Sequence, residues 1–324
     1  MREPVGWIAF TEWRAYIGVQ SAYPMTQAMT YGTGQETVSA ALSWAAGFLA
    51  DNGIDESRLN AELLLANVMD LPRTRLLLDR RREVTAVQFR TYQEFLKRRI
   101  AHEPLQYILG ETEFMGLHLE VNRGVLIPRP ETELLVERAL EFLRNRNMTK
   151  CAVLDVGTGS GNIAVAIAKL MPWSSVTALD VSSEALDVAR ANGRRHGLAN
   201  IRFLQCDIFA DGWLAGTYDL VAANLPYIAS TEFAVLEPEV RAYEPEVALT
   251  DGRDGLGGIR RLADVAPVVM APGAELLLEI AYNQQASVRE ILAMAGFVEI
   301  EVHKDMADLP RVVCGRLTQG DATP

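Results

Sequence analysis

Cysteine is scarce in this chain. Cys151, Cys206 and Cys314 are the three it has in 324 residues, far apart and with no Cys-x-x-Cys pair. That argues against a disulfide framework and suits a reducing compartment, so a cytoplasmic location is expected. Histidine is almost as rare. His102, His118, His196 and His303 show no spacing that suggests a metal site or a general base, and no metal is expected. No apolar run reaches the ~20 residues that cross a bilayer, and the first residues lack the basic start and apolar core of a secretory signal. Basic residues are the minority, 31 against 42 acidic, for a net charge of -11. Such a chain does not grip phosphates over its whole surface, so nucleic acid and membrane are not expected partners.

What is present is enough for two domains. Residues 1–36 hold Trp7, Trp13, Tyr16, Tyr23 and Tyr31 with no clear period, and read as a poorly ordered extension. From Thr37 the apolar residues Val38, Ala41, Leu42, Ala45, Phe48 and Leu49 recur at helical spacing. Further helical stretches follow near residues 59–69, 76–78 and 85–101, so residues 37–108 read as a small helical domain. It carries the densest basic stretch: Arg73, Arg75, Arg80, Arg81, Arg82, Arg90, Lys97, Arg98 and Arg99. That stretch is either a solvated helical face or a docking surface for an acidic partner. Residues 109–125 read as a hairpin linker turning at Met115-Gly116. Over residues 126–324, strands alternate with helices: strands near 152–155, 176–180, 201–204, 218–222 and 274–280, then two last strands near 298–303 and 311–317. This is the pattern of a doubly wound α/β sheet, mostly parallel.

Two loops carry chemistry. Asp155-Val156-Gly157-Thr158-Gly159-Ser160-Gly161 follows the first strand of the sheet, where open α/β sheets bind ligands. Its G-x-G-x-G spacing differs from the G-x-G-x-x-G of dinucleotide-binding folds and resembles motif I of class I AdoMet methyltransferases. Asp180 ends the second strand, where a carboxylate can accept both ribose hydroxyls or cap the turn that follows. Asp207-Ile208 follows the third strand, the place of an acid and apolar neighbour that flank adenine in these enzymes; a capping role is the alternative.

Asn224-Leu225-Pro226-Tyr227 follows the fourth strand. It resembles the (N/D)-P-P-(Y/F/W) motif of methyltransferases acting on nitrogens conjugated to a π system. Such a nitrogen has a delocalised lone pair and is a poor nucleophile. The Asn224 side-chain oxygen and the Leu225 carbonyl can each accept one N–H and hold the nitrogen for in-line attack. Tyr227 can pack on the flat substrate group. Leu225 stands where the motif usually has proline, which removes some stiffness, although Pro226 still keeps residue 225 extended.

Further stretches make the resemblance specific: Glu103-Pro104-Leu105-Gln106-Tyr107-Ile108-Leu109-Gly110, Phe114, Val125-Leu126-Ile127-Pro128-Arg129-Pro130-Glu131-Thr132-Glu133, Tyr243-Glu244-Pro245, Ala248-Leu249, Asp251-Gly252 and Asp254-Gly255-Leu256. With the two loops, they identify residues 37–318 as similar to the HemK/PrmC family of protein-glutamine methyltransferases. The resemblance implies a class I fold, with its last strand antiparallel, joined by a hairpin to a helical bundle. It implies S-adenosyl-L-methionine as donor, held by Gly157, Thr158, Gly159, Ser160, Gly161, Asp180, Asp207, Ile208 and Asn224. Asn224, Leu225, Pro226 and Tyr227 would form the catalytic set. The acceptor would be the glutamine of the Gly-Gly-Gln loop of peptide chain release factors. Phe114 and residues 129–132 would help close the cofactor pocket, or else serve as a hairpin core aromatic and a helix start. Related families with the same loop methylate a glutamine of a ribosomal protein, or adenine and guanine amino groups of nucleic acids.

Overall fold

The computed structural model describes residues 36–146, 150–210 and 216–318. They fall into two compact units divided after Leu109. All but one residue of the expected N-terminal extension lies outside the described residues.

The first unit is helical. In chain order it runs β1 (Glu36–Thr37), α1 (Val38–Asp51), α2 (Ser57–Val68), α3 (Arg73–Leu78), β2 (Glu83–Val84), α4 (Ala86–Ile100) and α5 (Leu105–Leu109), with β1 and β2 paired antiparallel. Side-chain caps set the helix starts. The Thr37 hydroxyl accepts from Ala40 N at 3.3 Å, and Thr85 and Gln88 cap α4 reciprocally. Leu42, Leu49, Leu64, Leu65, Leu76, Tyr92 and Leu96 are fully buried between the helices, and the Tyr92 hydroxyl donates to the Ala61 carbonyl. The basic stretch divides in two. Arg73 pairs with Glu62, Arg98 pairs with Glu103, and Arg99 is buried against Asn60 and the Glu103 carbonyl. Arg75, Arg80, Arg81, Arg82 and Arg90 are exposed.

The second unit opens with the hairpin β3 (Glu111–Phe114) and β4 (Leu117–Glu120), in register Phe114↔Leu117. Met115 and Gly116 both have positive φ, 51° and 71°, as a two-residue turn matched to strand twist requires. Phe114 and Leu119 are buried in the core of this unit. Then come α6 (Pro130–Asn145), β5 (Cys151–Val156), α7 (Asn162–Leu170), β6 (Ser174–Asp180), α8 (Ser183–Arg195), β7 (Ile201–Gln205) and β8 (Tyr218–Ala223). Two short helices, α9 (Ser230–Phe233) and α10 (Pro238–Tyr243), precede α11 (Gly257–Val269), β9 (Met270–Glu279), α12 (Gln285–Met294), β10 (Phe297–Lys304) and β11 (Pro310–Leu317).

The seven strands lie in the order β7-β6-β5-β8-β9-β11-β10. Those from β7 to β9 are parallel, and β11 runs antiparallel to both neighbours, as expected. Helices cover both faces, so the central strands read as nearly continuous apolar runs. Val153 and Leu220 face a core with Leu135 and Ile167, while Leu154 and Val221 face a core with Leu262 and Val288.

Candidate active site

The chain passes from β5 outward to β6 and β7, then returns to place β8 on the other side of β5. This reversal opens a crevice at the carboxyl ends of the strands, where open α/β sheets take ligands. A cavity of about 620 Å³ lies there. Its wall takes Gly157, Thr158, Gly159 and Ser160 from the turn after β5, Asp180 from β6, Asp207 and Ile208 beyond β7, and Asn224, Leu225 and Pro226 beyond β8. Residues far apart in sequence thus meet because four parallel strands end on one side. Two of the expected site residues, Gly161 and Tyr227, do not line it.

The glycine turn is held from beneath. Asp155 is fully buried; its Oδ2 accepts from the Thr158 hydroxyl at 2.6 Å and from Ala164 N at 3.1 Å. Burial pushes its carboxyl up to about 7 against these hydrogen bonds. The N–H groups of Gly157 and Thr158 both donate to the Leu179 carbonyl, at 2.9 and 2.8 Å. Asp180 Oδ2 accepts from Gly159 N at 2.8 Å, and Oδ1 accepts from Ser182 N at 2.9 Å. The carboxylate therefore ties the glycine turn to the head of α8 while it lines the cavity. Burial raises its pKa in spite of those backbone donors. Gly161 is the cap of α7, and a Cβ there would sit 3.1 Å from the Ala189 Cβ, so it serves the close packing of α7 on α8. Asp207 accepts from Phe209 N at 2.8 Å, which caps its own turn at the cavity edge.

In the loop after β8, Asn224 Nδ2 donates to the Thr132 hydroxyl at 3.2 Å. Among the described residues, neither Asn224 Oδ1 nor the Leu225 carbonyl accepts a hydrogen bond, and Oδ1 is not buried. The Leu225 side chain is buried. It fills the space that two glycines leave: a Cβ on Gly157 would meet Leu225 Cδ2 at 3.2 Å, and one on Gly258 would meet Cδ1 at 3.3 Å. Packing thus supplies restraint at the position where the motif usually has a proline ring. Tyr227 turns away from the cavity. Its hydroxyl donates to Glu279 Oε1 at 3.2 Å, and burial, with Glu279 alongside, pushes its pKa well above the ordinary tyrosine value. Its carbonyl accepts from Gln284 Nε2 at 2.9 Å.

The outer wall comes from two segments that the sequence marked, one of which holds residues 129–132, expected either to help close the cofactor pocket or to start a helix. Val125, Leu126, Pro128, Arg129 and Thr132 face Pro245, Ala248, Thr250, Asp251 and Arg253 around the cavity. An ion pair between Arg129 and Glu244, at 2.5 Å, links the segments, and Glu244 also accepts from Ile127 N at 3.2 Å. The Arg123 guanidinium lies over the Tyr243 ring, 4.8 Å from its centre. Asp251 accepts from the backbone N–H groups of Arg253, Gly255 and Gly257, which shapes the loop that braces residues 227–230. Ile228 N donates to the Leu249 carbonyl and Ser230 N to the Arg253 carbonyl. Phe114, the other residue the resemblance set beside the cofactor, is a core residue and does not line the cavity.

Glu279 escaped sequence reasoning, although a signal was there. It is a carboxylate at the end of the apolar run Leu276-Leu277-Leu278, on a strand that ends beside the site. It is buried, and burial raises its pKa even though the Thr132 hydroxyl, Arg311 and the Tyr227 hydroxyl favour its charged form.

A sheet in this strand order, with a glycine turn after its first strand, a carboxylate ending the next and an Asn-x-Pro-Tyr loop after β8, defines a class I methyltransferase. Comparison with known proteins agrees. The family model for a PrmC N-terminal domain matches residues 40–110, and one for a methyltransferase domain matches residues 147–252. The release factor glutamine methyltransferase of Chlorobaculum tepidum is 41% identical over 272 residues, covering 82% of this chain and 92% of its own length. That of Geobacter sulfurreducens is 37% identical, covering 87% and 97%. This chain belongs to the release factor glutamine methyltransferase family. Among solved structures, the catalytic domain of hMettl16 in complex with the MAT2A 3′UTR hairpin 6 has a TM-score of 0.51 at 14% identity, covering 73% of this chain and 83% of that one. At that identity the likeness speaks to the fold alone. No helix among the described residues is long and apolar enough to cross a membrane.

Proposed function

We propose that this chain transfers a methyl group from S-adenosyl-L-methionine to the side-chain amide nitrogen of the glutamine in the Gly-Gly-Gln loop of peptide chain release factors. The observation that carries this reading is the pair of unspent acceptors, Asn224 Oδ1 and the Leu225 carbonyl, beside the Gly157 turn. Two acceptors match the two N–H bonds of a primary amide. Held in fixed directions, they favour the pyramidal nitrogen that attack requires.

The cavity suits the cofactor. Its volume lies in the ~300–1,000 Å³ range of small-ligand pockets, and Asp180 and Asp207 offer carboxylates on its wall. Gly157, Thr158, Gly159 and Ser160 would hold the amino-acid end, with Gly161 shaping the turn. Asp180 would take the ribose hydroxyls, and Asp207 with Ile208 would flank the adenine. The cofactor supplies a methyl carbon on a positively charged sulfur. Pro226 restrains the loop, and Tyr227 acts as its half-buried strut. No histidine lines the cavity. None is needed, because a methylated amide nitrogen is acidic enough to release its proton to water. The helical unit, residues 37–108, would recognise the substrate, with the exposed Arg75, Arg80, Arg81, Arg82 and Arg90 facing an acidic part of the release factor.

The test is mass spectrometry after incubation with S-adenosyl-L-methionine and, separately, purified release factor, ribosomal proteins, tRNA and DNA. One added methyl on the Gly-Gly-Gln glutamine is expected. A methyl on ribosomal protein or nucleic acid instead would overturn the substrate assignment. Asn224→Ala should abolish transfer and leave cofactor binding intact; persisting turnover would remove Asn224 from its role.

A further inference from the structure

We propose that Thr132 and Glu279 fix which way the Asn224 amide faces, making Thr132 a positioning residue for methyl transfer; this rests on the acceptor role given to Asn224. An asparagine amide has an accepting end and a donating end of nearly the same size. Only one of its two orientations offers oxygen to the substrate. Flipped, it would present an NH₂ to another NH₂, and the nitrogen would lose one of its two acceptors.

The side chain does not choose between these faces by shape, so a neighbour of definite polarity must. Thr132 is that neighbour. It is 0% exposed, on the first turn of α6, and its hydroxyl accepts from Asn224 Nδ2 at 3.2 Å. A hydroxyl both donates and accepts, so Thr132 acts in one sense only if its own proton is committed elsewhere. That proton is assigned to Glu279. Its Oε1 is already occupied by the Tyr227 hydroxyl at 3.2 Å. Its Oε2 is buried with no hydrogen-bond partner, so it stands open to a donor, and the Thr132 hydroxyl is among the groups beside Glu279 that favour its charged form. An ionised carboxylate can only accept. With Glu279 ionised and its open Oε2 receiving the Thr132 proton, the polarity runs in one direction: Thr132 accepts from Asn224 Nδ2, and Asn224 Oδ1 is left toward the cavity. The three residues come from the head of α6, the end of β8 and the end of β9, so they are brought together only in the folded sheet.

The test compares Thr132→Val, Thr132→Ser and Glu279→Gln in the full chain, with purified release factor and S-adenosyl-L-methionine. Thr132→Val keeps the shape and removes the acceptor. It should lower kcat by about 10²-fold, the scale of a misplaced reacting group, with the KM for release factor and the Kd for S-adenosyl-L-methionine little changed. Thr132→Ser should restore most of kcat. Glu279→Gln introduces a donor where an acceptor is needed, so Thr132 can turn its proton toward Asn224; kcat should fall without a change in cofactor Kd. Combined with Thr132→Val it should add little. In an Asn224→Ala background, Thr132→Val should do nothing to residual turnover.

Full activity in Thr132→Val, or failure of serine to rescue, would overturn the inference. If Thr132→Val does not fold, Thr132→Ser at near wild-type kcat together with a slow Glu279→Gln supports it, and wild-type rates in Glu279→Gln overturn it. Unchanged turnover in Asn224→Ala would instead bring down the function proposed above, so the two failures are distinguishable.

Discussion

Gly255 should tolerate no side chain, and the reason lies in the catalytic loop. A Cβ placed there would sit 2.1 Å from the Tyr227 carbonyl oxygen and 2.7 Å from its carbonyl carbon. Ordinary carbon contacts begin near 3.5 Å, so residues 224–227 would have to retreat by more than about 1 Å. The same movement breaks the bond from Gln284 Nε2 to that carbonyl. Gly255 also has φ of +74°, where alanine carries a further penalty of about 1–2 kcal/mol. Gly252 separates the two effects. It lies in the same loop with φ of +72°, and a Cβ there would meet nothing within 4 Å. Gly252→Ala should therefore lose about 1–2 kcal/mol of stability and keep its kcat. Gly255→Ala should lose more stability and about 10²-fold in kcat. Neither glycine lines the cavity, but residues 224–226 do, so the Kd for S-adenosyl-L-methionine should change little in Gly252→Ala and weaken in Gly255→Ala. Urea unfolding, calorimetric titration and transfer of labelled methyl to release factor measure the three quantities. Equal kcat values in the two variants would refute the claim that Gly255 seats the catalytic loop.

Two further outcomes are expected. Leu225→Ala empties the space between Gly157 and Gly258 and should cost about 2–4 kcal/mol in denaturant unfolding, with slower turnover; a loss below about 1 kcal/mol would show that the loop is held without that side chain. Asp155 should make stability fall with rising pH. Burial lifts its native pKa from 3.8 to about 7, so between those values the folded chain keeps a proton that the unfolded chain has lost. Its contribution is whole below 3.8, declines as pH rises toward about 7 and is flat above. Wild type should therefore lose ground to Asp155→Asn across that window, and a difference independent of pH would contradict the burial argument.

The line between legible and illegible features follows the range of the forces involved. The glycine turn, the Asn-x-Pro-Tyr loop and the Met115-Gly116 hairpin are local. Backbone conformation and residue chemistry within a few positions define them, so they stand out in the bare sequence. Gly161 looks like its glycine neighbours in the string, yet it faces Ala189. Tyr227 looks like a substrate platform, yet it bonds to Glu279, 52 residues away. Phe114 sits in a family motif, yet it fills a core. Thr132 reads as a helix start, and only the meeting of α6 with β8 and β9 gives it Asn224 and Glu279 as neighbours.

Taken alone, the amino-acid string determined the alternation of strands and helices, the two reactive loops and the family, because apolar period, turn-forming residues and motif spacing are properties of neighbours along the chain. Tertiary structure alone decided the strand order, the wall formed by Arg129 and Glu244, and the direction each side chain takes at the ends of the strands. Those depend on which groups burial brings within hydrogen-bonding distance, and no spacing along a chain encodes a contact between residues 92 positions apart.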